Sequence, residues 1–230
     1  MFKPVADPGL HAWLASTFAN LPAREDLRII RPVSNKEGKW SAGGWCAWEY
    51  LEGETDPSRW RDALVVSGLF HAAVADIARH PLVPGQHPWA MADRFAWGET
   101  DIDVPGALRS EVDRLRALCR PTDLLSQLIH GDLGGNILYH PALPPAVIDI
   151  SPYWRPKAYA DAITVSDAIA WAGAELSALD AIGPDAQQMA CRAVLFRLGA
   201  AVLLAGAHPK RMVAEASAYG PVAEALCSSR

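Results

Sequence analysis

The chain has cysteines but no arrangement in which they act together. Cys46, Cys119, Cys191 and Cys227 lie far apart among 230 residues, with no C-x-x-C spacing and no histidine at ligand distance in sequence. A disulfide framework and a zinc finger are excluded, and the four read as reduced thiols of a cytosolic protein. Basic clusters are also missing, and the formal charge is −5. Phosphate backbones are gripped by grouped Lys and Arg, so a nucleic-acid binder is excluded and small molecules are the expected partners. No window approaches the ~18 apolar residues of a membrane span. The opening MFKPVADPGLHAW carries Lys3, Pro4 and Asp7 where a signal peptide needs an unbroken apolar stretch. The expectation is a cytoplasmic protein without a membrane segment. Repeats and low-complexity tails are absent too.

What is present suffices for a core. The chain is 50% hydrophobic and 20% charged, which fits one ordered domain or two small lobes. FKPV is brief and extended. Asp7 with Pro8 signals a helix through Leu21, with Leu10, Leu14 and Phe18 on one face, ended by Pro22. Leu27–Val33 reads as a strand, SNKEGK as a turn, and KWSAGGWCAWEYL as a second strand. From Asp56-Pro57 the period turns helical through WRDALVVSGLFHAAVADIAR; His80 to Gly98 reads as a Pro- and Trp-rich connection, and PGALRSEVDRLRALCR as another helix. Two short apolar runs, Gln127–Ile129 and Ala146–Ile150, flank a Gly-rich turn. Beyond Pro156 the sequence is Ala-rich helix broken at Gly183-Pro184 and His208-Pro209. A small α+β lobe followed by a larger helical one results.

The stretch LIHGDLGGNILYHPALPPAVIDISPYW sets Asp132 and Asn136 on a turn and Asp149 at a strand end. Phosphoryl transfer from a nucleotide uses such a set: one carboxylate to orient and deprotonate an accepting hydroxyl, and an Asn–Asp pair to hold Mg²⁺ against the phosphates. Gly134 and Gly135 would let the backbone turn tightly between the two polar residues. No second cluster of His or Asp supports a metal hydrolase.

HGDLGGNIL followed by VIDIS resembles the catalytic loop and metal aspartate of the aminoglycoside phosphotransferase and choline kinase group, which has the protein-kinase-like fold. The resemblance implies a two-lobed α+β protein using ATP and Mg²⁺ on a hydroxyl of a small-molecule acceptor. By it, Asp132 is the catalytic base, His130 supports the catalytic loop 130–136, and Asn136 and Asp149 are the Mg²⁺ ligands. GWCAWEYLEGE resembles the last N-lobe strand and hinge, where backbone groups near Glu49 and Leu51 would hydrogen-bond adenine. FKPV resembles the lysine-bearing strand, with Lys3 as the phosphate-binding lysine. Residues 1–54 would then be a partial N-lobe and residues 55–230 the C-lobe. RWRDAL, HPWAMADRFAWGE and LPPAVIDISPYWRP are most similar to a bacterial branch of short phosphotransferase-like proteins without a settled substrate.

The sequence departs from that pattern in two places. Three residues separate Asp132 from Asn136, one fewer than usual in the group, and the strands and phosphate-covering loop that precede the lysine strand have no counterpart. Helix 7–21 contains no Glu to pair with Lys3. The second expectation is therefore a non-catalytic, pseudokinase-type remnant or binding module. Asp167 resembles the group's helix aspartate that braces the catalytic loop, with an ordinary helix cap as the alternative. His71, His80, His87, His140 and His208 read as surface or core packing. Tyr153, Trp154 and Arg155 are candidates for lining a substrate site, and Glu175, Asp180, Asp185 and Glu215 for an acidic cleft.

Overall fold

A computed structural model describes residues 1–79, 87–183, 185–206 and 208–228. His80 and the start of the Pro-rich connection lie outside these residues. The chain forms two compact units: residues 1–83 with 126–155, and residues 84–125 with 156–230. Packing thus groups residues differently from a division at residue 54. Residues 44–54, the helix that follows them and the H-G-D loop belong to one unit.

The first unit begins with β1 (Phe2–Pro4) and α1 (Pro8–Ala19). Asp7 caps α1 as its sequence implies, its Oδ1 accepting the Leu10 N–H at 3.0 Å with Pro8 inside the first turn. The single strand expected over Leu27–Val33 is two, β2 (Arg28–Ile29) and β3 (Pro32–Val33). They divide because Pro32 has no N–H to continue a ladder and the intervening Arg31 guanidinium is drawn to the Phe18 carbonyl at 2.7 Å. The second expected strand is likewise a hairpin, β4 (Ser41–Ala42) and β5 (Trp45–Trp48). Gly43 and Gly44 form its two-residue loop at φ +58° and +80°, both left-handed, as a twist-matched hairpin turn requires. One sheet runs β1-β5-β3, antiparallel, with β4 also on β5.

Then come α2 (Trp60–Ala73) and, after residues assigned to the second unit, β6 (Ser126–His130), β7 (Ile137–Leu138), β8 (Ala146–Val147) and β9 (Pro152–Pro156). β8 pairs parallel with β2 and antiparallel with β7, and β9 pairs with β6. The core of the unit gathers Phe18, Leu27, Ile30, Trp48, Val66, Phe70, Leu128, Leu133, Ile137 and Val147. Phe18 and Phe70 lie stacked with centroids 6.4 Å apart, joining α1 to α2.

The second unit is helical: α3 (Pro88–Ala96), α4 (Gly106–Leu118), α5 (Lys157–Trp171), a 3-10 turn at Leu176–Ile182, α6 (Ala186–Leu204) and α7 (Pro209–Ser228). α3 lies within what the sequence suggested was a connection. Pro88 starts it, and Ala92, Phe95 and Ala96 give it a buried face. α6 is long and apolar enough to cross a membrane by length and composition, but it is mostly buried as the central helix of this unit. Its Arg192 donates from its two terminal guanidinium nitrogens to the carbonyls of Ala96 and Arg120 at 3.1 and 2.8 Å, which offsets part of the cost of burying the charge.

Truncating Phe18, which is fully buried, removes a ring from both helices at once. Phe18→Ala is expected to cost about 3–5 kcal/mol. Val65→Ala, at a site 66% exposed on α2, is expected to stay within about 0.5 kcal/mol of the parent. Urea midpoints compared at one m-value check both.

Candidate active site

β6 delivers the H-G-D segment from the core outward. Leu128 and Ile129 are buried, His130 is fully buried, and the chain then emerges at a half-exposed Asp132. His130 is fixed as one neutral tautomer. Its Nδ1 accepts the Asp132 backbone N–H at 3.1 Å, so the ring proton sits on Nε2, which donates to the Ile148 carbonyl at 3.1 Å. Burial pushes its pKa down, and this outweighs the opposing effects of the Ile148 hydrogen bond and of Asp132 and Asp149. His130 is therefore bonded through both ring nitrogens to backbone groups and has no solvent-facing nitrogen for proton exchange.

The short spacing between Asp132 and Asn136 is accommodated by a four-residue turn in which Asn136 N–H donates to the Leu133 carbonyl at 2.9 Å. Neither Gly134 nor Gly135 adopts a positive φ, so the tight turn is made without left-handed glycine geometry. Asn136 Nδ2 folds back to the Asp132 carbonyl at 2.6 Å and to Asp132 Oδ2 at 3.2 Å. The amide hydrogens are thus directed at Asp132, and the amide oxygen remains as the atom a cation would require.

Asp149 is tied to this loop through its neighbour. Ile148 N–H donates to the Asn136 carbonyl at 3.0 Å while the Ile148 carbonyl accepts from His130, so the peptide groups on either side of Ile148 are both held. Asp149 itself has φ +49°, a left-handed conformation uncommon outside glycine that Asp tolerates better than most residues. Lys3 Nζ lies 2.5 Å from its Oδ1. β1 thus brings Lys3 to the candidate metal aspartate. The Asp149 side chain is 61% exposed, open to solvent around that contact.

The adenine-side candidates divide. Glu49 N–H is already donated to the Arg31 carbonyl at 2.9 Å, and the Glu49 carboxylate accepts from Arg31 N–H at 3.3 Å. Glu49 therefore serves β3–β5 cohesion. Leu51 packs its side chain on the core, and its backbone forms no hydrogen bond among the described residues. Of the residues after Asp149, Tyr153 lies over Gly131, where an added Cβ would be 2.4 Å from the ring, and Trp154 packs against the core. Gly131 is needed for this close approach.

Sequence reasoning missed His71. It is buried on α2, and its Nε2 accepts the His130 backbone N–H at 3.3 Å. The helical period located its buried face but not its polar partner. Asp167, in the second unit, pairs with Arg197 and accepts the Tyr219 hydroxyl at 2.6 Å. Of the carboxylates considered for an acidic cleft, Glu215 is buried against Arg211 at 3.2 Å, and Asp185 accepts the Thr122 hydroxyl at 3.1 Å. Among the described residues no three His, Cys, Asp or Glu side chains gather as a metal cluster. A cation at this loop would depend on the mixed amide and carboxylate oxygens of Asn136 and Asp149, hard donors suited to Mg²⁺.

Among solved structures, the chain is similar to the aminoglycoside phosphotransferase APH(4)-Ia, with TM-score 0.61 and 17% identity over 100% of this chain and 86% of that one. It is similar to spectinomycin phosphotransferase APH(9)-Ia in complex with ADP and spectinomycin, with TM-score 0.58 and 13% identity over 99% and 84%. A third is Plasmodium vivax ethanolamine kinase, with TM-score 0.58 and 12% identity over 98% and 76%. No protein-family model and no curated protein sequence matches. At such identities the likeness is one of fold: this chain has the α+β, protein-kinase-like fold of aminoglycoside phosphotransferases and ethanolamine kinase.

The lowered His130 pKa makes stability depend on pH. The unfolded chain takes up a proton near pH 6.5 while the folded one resists, so the folded state is favoured above that pH and loses ground below it, at up to about 1.4 kcal/mol per pH unit, until the depressed folded value is reached. His130→Gln is expected to flatten this part of the profile. Urea midpoints of both proteins from pH 7.5 down to 5 measure it; equal slopes would assign the acid sensitivity to other groups.

Proposed function

We propose that this protein is an ATP- and Mg²⁺-dependent phosphotransferase acting on a hydroxyl of a small molecule. The observation that carries the reading is the doubly bonded backbone of Ile148, which joins the loop bearing Asp132 and Asn136 to the segment bearing Asp149. Support comes also from neighbours of the same fold, one solved with ADP and spectinomycin and another described as an ethanolamine kinase.

In this reading Asp132 orients the acceptor hydroxyl and takes its proton as the oxygen bonds to the γ-phosphorus and the bond to the departing ADP breaks. His130 keeps the loop in register, and Asn136 holds Asp132 from the side. Asn136 and Asp149 would hold Mg²⁺, which when bound neutralises charge on the phosphate oxygens. Lys3 would exchange the Asp149 carboxylate for a phosphate oxygen. Of Glu49 and Leu51, Leu51 is the better hydrogen-bonding partner for adenine, because the Glu49 N–H is already committed to Arg31. Residues 1–54 would then act as a partial N-lobe and residues 55–230 as the C-lobe, and the reaction belongs to the ATP-rich cytoplasm.

A second reading is favoured by one observation. Lys3 already occupies the Asp149 carboxylate at 2.5 Å, as expected of a non-catalytic, pseudokinase-type remnant or binding module that does not clamp ATP.

Calorimetric titration of ATP with and without Mg²⁺, followed by an acceptor screen, separates the two. Asp149→Ala is expected to abolish the Mg²⁺-dependent part of ATP binding. Asp132→Asn is expected to preserve the melting temperature while lowering transfer by roughly 10²-fold. Weak or absent ATP binding without transfer to any acceptor favours the remnant or binding module. ATP affinity indifferent to both Mg²⁺ and Asp149 overturns the metal assignment.

A further inference from the structure

We propose that His71 is a positioning residue for the H-G-D loop, acting through the backbone of His130; its relevance to turnover rests on the phosphotransfer reading, whereas its effect on the loop does not.

The geometry is directional. His71 Nδ1 donates to the Ser67 carbonyl one helical turn back, at 2.8 Å, with the Ser67 hydroxyl 3.0 Å away. The proton is therefore on Nδ1, and the Nε2 lone pair faces the β6 edge, where it accepts the His130 N–H at 3.3 Å. That N–H is fully buried, and without His71 it would be a stranded donor in an apolar surround. The same residue reaches β6 a second time, since its carbonyl accepts from Gln127 Nε2 at 2.9 Å. The Phe70 ring meets both imidazoles edge to face, at centroid distances of 5.2 Å to His71 and 6.0 Å to His130.

An unbroken series follows: Ser67 carbonyl, His71 ring, His130 backbone, then the His130 ring to the Asp132 N–H and the Ile148 carbonyl. α2 therefore sets where β6 ends. The His130 ring at the end of β6 in turn holds the Asp132 N–H and the Ile148 carbonyl. A helix residue with no path to substrate thereby determines the angle at which the loop carboxylate is presented. Plain packing does not explain this, because an apolar side chain of the same size would fill the space and leave the N–H unpaired.

The test contrasts His71→Gln with His71→Met, side chains of equal length of which only Gln carries an acceptor that can reach the His130 N–H. Hydrogen exchange at the His130 amide is followed by NMR, and turnover is followed as ATP hydrolysis, with water as acceptor. The Met variant is expected to exchange at that amide about tenfold faster than the parent. Its kcat is expected to fall about tenfold, with ATP affinity unchanged within about twofold. The Gln variant is expected to recover both. If the Met variant does not fold, His71→Asn, which is too short to reach, supplies the same contrast with Gln. Equal exchange at His130 in the Gln variant and its non-accepting counterpart overturns the inference. Should the parent hydrolyse no ATP and phosphorylate no acceptor, the phosphotransfer reading fails, while the amide measurement still decides the role of His71.

Discussion

One buried, uncharged imidazole links the parts of the candidate site. The His130 ring accepts from Asp132 on one nitrogen and donates to Ile148 on the other, so both the loop and the segment leading to Asp149 are referred to a single rigid plane. Both bonds require the neutral tautomer. A second proton would set an N–H against the Asp132 N–H, and burial already disfavours it. An unpaired buried donor or acceptor costs about 1–3 kcal/mol, so displacing this ring would leave both backbone groups unsatisfied and misplace two carboxylates together. The core around it, with Phe70 edge-on at 6.0 Å, keeps out the water that could substitute.

The Lys3–Asp149 contact has a different character. It is short, 2.5 Å, but its carboxylate is largely exposed, and exposed pairs contribute little to stability because water and salt screen them. Such a contact is readily exchanged. A divalent cation could replace the ammonium at Asp149 and a phosphate could replace the carboxylate at Lys3, each group keeping an opposite charge beside it. The left-handed backbone at Asp149 fits the same view. Residues held in sparsely populated conformations collect where the surroundings over-determine them, and here the backbone of Ile148, bonded at both its N–H and its carbonyl, lies immediately before.

Much of the candidate site was legible because its signal is local. H-G-D, the Asn four residues after that Asp, and I-D are contiguous chemistry, and Asp7-Pro8 announced α1 through a cap that spans three residues. Where the reading failed, the deciding contact was distant or conformational. KWSAGGWCAWEYL looked like one strand because its residues are β-formers, yet two successive glycines at positive φ reverse it into a hairpin. Leu27–Val33 looked continuous although β2 answers to β8, more than a hundred residues away, and β3 answers to β5. Helix α3 was obscured by its Pro and Trp neighbours. His71 was the costliest omission: a histidine on a buried helix face does have packing as its ordinary explanation, and only tertiary structure reveals the N–H across from it.

These observations separate holding from reacting. His130, His71 and Gly131 are buried and engaged by backbone groups or a packed ring. Asp132, Asn136, Lys3 and Asp149 are half-buried or exposed, joined mainly to one another or to a backbone already fixed. A carboxylate that must exchange protons or cations cannot also be the group on which folding depends, since each change of state would then work against the core. Placing the neutral, fully satisfied groups inside and the chargeable ones at the rim lets the rim change ligands while the loop keeps its shape. Burial, rather than residue type, is what distinguishes the histidine bonded to backbone on both ring nitrogens from the aspartates that meet solvent.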